Sequence, residues 1–141
     1  MRTTIIACAL AVGVVVLWPA QPQISAQASL DYEYFKAKVQ PIFLTKRPGH
    51  ARCIACHGSG TPLRLQPLDP GAATWTDEES RKNFQAIQRV AFAGNARSRL
   101  LLHPLEEGAG GDFYHSGGKH WTSQNDPEWL VLKNWVMGQT K

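Results

Sequence analysis

The sequence predicts an all-α fold with long loops. Apolar residues recur at helical spacing in three separate segments. Capping signals open two of them, and no stretch alternates as a paired strand would. With 141 residues the chain has material for one domain. Its apolar and charged fractions are those of ordinary globular proteins, and the net charge of +4 carries no basic run of the kind that binds nucleic acid.

The first 28 residues read as a secretory signal peptide. Arg2 supplies a positive charge, Ile5 to Trp18 is almost wholly apolar, and Ala26-Gln27-Ala28 forms an A-x-A cleavage pattern. The apolar run falls short of the roughly 20 residues a spanning helix needs. Membrane association is therefore expected only if this segment is retained. Ile5-Ile6-Ala7-Cys8 faintly imitates a lipidation box but comes too early. Residues 29–141 form the expected domain.

The first helix is expected over Asp31 to Phe43, with Phe35, Val39, Ile42 and Phe43 on one face and Pro41 kinking or tightening its last turn. Lys46 to His50 reads as a polar connection. Cys53 to His57 follows, closed by Gly58-Ser59-Gly60. Thr61 to Trp75, with three prolines and a glycine, is a long loop. Thr76 and Glu79 form a capping box for a helix carrying Phe84, Ile87, Val90 and Ala91, stopped by Gly94-Asn95. Ser98 to Pro104 reads as a short helical turn. Gly108 to Gly118 holds five glycines, so its backbone can lie against something flat. Asp126 and Pro127 then start a final helix, Pro127–Met137, filled by Trp129, Leu130, Leu132, Trp135 and Val136 and ended by Gly138.

The chemistry is concentrated in Cys53-Ile54-Ala55-Cys56-His57, the C-x-x-C-H pattern of covalent haem attachment. Cysteines at i and i+3 of a helical turn point the same way, so each sulfur can form a thioether with one haem vinyl group. His57, at i+4, can then place a ring nitrogen on the iron. With Cys8 removed, these two are the only cysteines left. A disulfide between them would close almost no loop and stabilise little. A zinc site needs two further ligands, and no second cysteine pair exists. A redox C-x-x-C of thioredoxin type expects a βαβ context, which the pattern lacks.

With these residues in place, the chain resembles class I cytochromes c: a helix, C-x-x-C-H, loops, then an aromatic final helix. More narrowly it is similar to planctomycete-type cytochrome c domains over about residues 31 to 138. The resemblance is carried by Val39-Gln40-Pro41-Ile42, Ser98-Arg99-Leu100-Leu101 with Pro104-Leu105, and His115-Ser116-Gly117-Gly118. It implies a class I cytochrome c-like fold, with a few helices and long loops wrapped around one covalent haem c. It also implies first and last helices that cross and pack together.

The sixth iron ligand departs from the usual family pattern. The only methionines are Met1 and Met137, and neither lies in the loop before the last helix. His115, inside the glycine-rich stretch and in the family's His-x-Gly-Gly segment, is the expected distal ligand, with His120 as its rival. An open sixth position is the remaining alternative. His50 and His103 read as a loop residue and as a packing or propionate-contacting residue. Trp75, Trp121 and Phe113 are candidate pocket walls, and Arg99 and Lys119 candidate propionate partners.

The expected function is an exported, periplasmic monohaem cytochrome that carries electrons through a bis-histidine haem to redox partners of unknown identity. The alternative is a haem enzyme, or a gas- or peroxide-binding sensor, with an open sixth position. A third possibility, a haem subunit of a larger exported oxidoreductase, differs only in partner.

Overall fold

The computed structural model describes residues 29–141. The segment read as a signal peptide, with Cys8, lies outside them. The described chain is helical, and its one β-type contact is an isolated parallel bridge between Leu105 and Trp121. No helix among the described residues is long and apolar enough to cross a membrane.

The first helix runs without a break through Tyr32–Tyr34, Phe35–Val39 and Gln40–Leu44. The Asp31 carboxylate caps it, accepting the Tyr34 N–H at 2.9 Å. Pro41 does not tighten the last turn. The turn before it widens into a π-helix, in which Gln40 N–H donates to the carbonyl of Phe35, five residues back. Pro41 has no N–H to offer Ala37, and its ring would crowd that carbonyl. The wider turn accommodates both facts while keeping Phe35 and Val39 fully buried.

The final helix, Pro127–Val136, begins as its sequence predicts. The Asp126 carboxylate accepts the N–H groups of Glu128 and Trp129, and Pro127 occupies the first turn. It buries Trp129, Leu132, Trp135 and Val136. It packs on the first helix, with the Trp135 ring centre 5.6 Å from that of Phe35 and the indole N–H donating to the Asp31 carbonyl at 2.7 Å. Leu130, read from the sequence as a filling residue, is exposed.

A third helix, Asp77–Ile87, closes the core from the other side, with Phe84 against both Phe35 and Trp135. Its capping box is formed in both directions between Thr76 and Glu79. The helix stops at Ile87, short of Gly94, and a turn carries Val90 and the buried Ala91. Ser80 and Asn83 are fully buried on its inner side. Their polarity has a local use. Asn83 Oδ1 accepts the Gln66 N–H at 2.7 Å, and Gln66 in turn accepts the Trp75 indole N–H at 2.7 Å. These bonds tie the middle of the long loop to its end at Trp75 and to Asp77–Ile87, and Leu63 and Leu65 are buried just before that tie.

The segment from Ser98 folds back on itself. Arg99–Leu102 is one short helix and Glu107–Ala109 a 3-10 turn. His120 N–H donates to the Pro104 carbonyl and Glu106 N–H to that of Trp121, both at 2.8 Å. These bonds close the glycine-rich stretch into a loop that carries His115. Within it, Gly111 lies against the chain's own backbone: a Cβ there would sit 1.9 Å from the Leu105 carbonyl oxygen. That closest approach is therefore internal to the loop, whereas Gly117 lies along the cavity described next.

Candidate functional site

Cys53–His57 forms one helical turn, as the i, i+3, i+4 spacing predicts. Cys53, Cys56 and His57 all line a single cavity with Phe43, Leu63, Val90, Leu100 and Trp121, and His115 and Gly117 line its other side. Neither cysteine is in a disulfide. The cavity encloses about 180 Å³ and opens to solvent. A larger group seated in it would therefore project through the mouth.

The two expected iron-binding histidines face each other across this space. Their ring centres lie 6.2 Å apart and their planes 17° apart. A metal-ligating imidazole nitrogen sits about 2 Å from the metal and roughly 1 Å from its own ring centre. Two imidazoles on opposite sides of one metal therefore have centres roughly 6 Å apart, which is the separation observed.

Each ring is also oriented from behind. His57 Nδ1 lies 2.9 Å from the Leu63 carbonyl oxygen and 3.0 Å from Thr61 Oγ1. His115 Nδ1 lies 2.6 Å from the Gly118 carbonyl oxygen. A carbonyl can only accept, so each Nδ1 carries the hydrogen, and in the neutral tautomer this leaves the lone pair on Nε2. That is the arrangement by which proteins fix a ligating imidazole. Burial pushes the His115 pKa down, with the Gly118 hydrogen bond opposing it.

His120 also lines the cavity, 5.9 Å from His115 between ring centres and 4.8 Å from His50. Burial, then the charge of Arg47, pushes its pKa down to about 4. Its Nδ1 is buried with no hydrogen-bond partner. It lacks the carbonyl that orients His57 and His115, which separates the rival from the first choice. His103 is held at 3.1 Å by Asp112, with Arg99 alongside, and its ring meets that of His115 edge-on at 4.8 Å.

Other side chains depart from their sequence reading. Phe113 is 83% exposed and is not a cavity wall. Trp75 is buried in the core around the long loop instead. Lys119 Nζ is occupied by the backbone carbonyls of His103 and Asp112, whereas Arg99 does reach the cavity. Met137 ends the final helix and is not among the cavity-lining residues.

Sequence reasoning missed Arg47, placed in a polar connection but buried in the structure, and Thr61 and Leu63, which hold His57. No periodicity or motif marks Arg47. Its only signal is its nearness to Cys53. Among the described residues, no group of three or more His, Cys, Asp or Glu side chains converges as a cage for a bare metal ion. No protein-family model, curated protein or solved structure matches the chain.

Proposed function

We propose that the chain is an exported electron carrier holding one haem c, tethered by Cys53 and Cys56 and ligated by His57 and His115. The observation that carries this reading is the pair of facing imidazoles, each with Nδ1 tied to a carbonyl and Nε2 free, beside the two cysteines of the attachment motif.

The donor set suits this group. Cys53 and Cys56 would supply the thiols for the thioethers, the imidazoles of His57 and His115 would ligate the iron, and the lining is mainly apolar. When bound, the haem supplies a one-electron couple between ferric and ferrous iron. The chain's own residues do the rest. The Leu63 and Gly118 carbonyls hold the two rings in fixed orientation, so the ligand set need not rearrange as charge comes and goes. Phe43, Leu63, Leu100 and Trp121 keep water from the inner part of the cavity. The open mouth leaves an edge for contact with a redox protein. Export to the periplasm belongs to the same proposal, because haem c is attached after export in bacteria.

The test is an optical and paramagnetic-resonance spectrum of purified oxidised and reduced protein. Low-spin ferric haem with two nitrogen axial ligands, not extractable by acid acetone, is the expected result. A preparation without haem overturns the reading. High-spin ferric haem would instead favour the second reading, an enzyme or a gas- or peroxide-binding sensor with an open sixth position.

A further inference from the structure

The two motif cysteines line the same cavity in unlike surroundings. Cys53 is half-buried and Cys56 exposed. Beside Cys53 stands Arg47, only 9% exposed. A buried guanidinium is costly unless its donors are matched, and here each of its three nitrogens has a partner. Nε donates to Glu128 Oε2 of the final helix at 2.6 Å, and Nη2 forms an ion pair with the same oxygen at 2.5 Å. Nη2 also donates to the Ile42 carbonyl at 3.1 Å, and the Trp121 ring centre lies 5.2 Å from the guanidinium carbon. The remaining donor, Nη1, is directed at Cys53 Sγ, 3.8 Å away. Among the described hydrogen bonds, none reaches the Cys56 sulfur.

We propose that Arg47 is a positioning residue for the Cys53 thioether, holding that sulfur at the cavity wall while its bond to the haem forms. This rests on the reading of the chain as a haem c protein. In the step itself the Cys53 S–H adds across one vinyl double bond. A C–S bond forms at one vinyl carbon and the sulfur's hydrogen ends on the other. Nothing leaves, and no net oxidation or reduction occurs. The positive guanidinium also favours the thiolate, the nucleophilic form, against the burial that pushes the Cys53 thiol up. Cys56 has no such partner and relies on exposure.

The experiment uses the full chain, secreted in a bacterium that matures haem c. The purified protein is unfolded, free thiols are alkylated with iodoacetamide, and the tryptic peptide 53–64 is sequenced by tandem mass spectrometry. In Arg47→Gln the fraction of alkylated Cys53 should rise roughly tenfold over the native chain, the scale of one hydrogen bond to a charged group, with Cys56 unchanged. Arg47→Lys should recover part of the difference. Glu128→Gln, which removes the carboxylate anchor but keeps the guanidinium, should give a smaller rise with the same preference for Cys53. It serves as the reporter if Arg47→Gln does not accumulate. An equal rise at both cysteines, or at neither, overturns the proposal, since a merely structural role would not distinguish them. If both cysteines of the native chain alkylate fully and no haem is found, the haem reading itself has failed instead.

Discussion

The His57 and His115 rings stand 6.2 Å apart, centre to centre, although 58 positions separate them in the chain. Neither reaches that place through its own helix or turn alone. The Leu63 carbonyl orients the first ring and the Gly118 carbonyl the second.

Replacing His115 should open one side of that space. On the proposed haem reading, His115→Ala is expected to convert low-spin ferric haem to high-spin and to let cyanide or carbon monoxide bind quickly. His120→Ala should leave the spin state unchanged, because His120 lacks an orienting partner for its Nδ1. The reverse pattern in the two optical spectra would transfer the ligand role to His120.

On the proposed reading, the two ligands would also set the reduction potential. A thioether ligand favours ferrous iron, whereas a second imidazole favours ferric iron. His115→Met is therefore expected to raise the midpoint potential, measured by redox titration. A potential equal to or below the native one would count against ligation at position 115.

Two glycines of one loop should respond in opposite ways. Gly111→Ala would drive a Cβ to within 1.9 Å of the Leu105 carbonyl oxygen, where only backbone movement can relieve it. A loss of about 1–3 kcal/mol is expected, as for other overpacked sites. A Cβ at Gly108 meets nothing within 4 Å, so Gly108→Ala should stay within roughly 0.5 kcal/mol of native. Paired denaturant melts check the difference.

The contact between the first helix and Asp77–Ile87 should weaken in acid. Lys36, then Tyr32 and Arg81, hydrogen-bond the Asp77 carboxylate and hold its pKa down at about 2. An unfolded aspartate titrates near 4. Between these values the unfolded chain binds the extra proton, so the contribution is complete above about pH 4 and is lost as pH falls towards 2. The stability gap between native and Asp77→Asn should accordingly close over that range. A gap that stays constant from pH 5 to 2 would contradict it.

Capping and periodicity made much of the fold legible beforehand. Thr76 with Glu79, and Asp126 with Pro127, begin helices for local reasons that depend on a few neighbouring residues. The Cys53–His57 turn is equally local. What could not be read depends on distant partners. Arg47 becomes a core residue only because Glu128, 81 positions later, meets it. Phe113 and Trp75 looked alike as candidate pocket aromatics, yet one is exposed and the other packs beside Gln66. The π-turn before Pro41 shows a third kind of limit. Proline announces a disturbance in the hydrogen-bond ladder but not whether the helix narrows, bends or widens to absorb it.

The bond from the Trp135 indole to the Asp31 carbonyl closes a loop of 104 residues. Such a contact has high sequence separation, and the entropy of bringing its ends together must be met before Phe35 and Val39 gain their burial. The first helix meets Phe84 of Asp77–Ile87 through a shorter span of chain, but its contact with the final helix needs nearly the whole chain. Trp121 and Glu128, which complete the cavity wall around Arg47, belong to the same late segment. The cavity wall around Arg47 is therefore complete only once the final helix is in place, and a chain emerging from its amino end first would leave the Cys53–His57 turn uncovered by that wall until then.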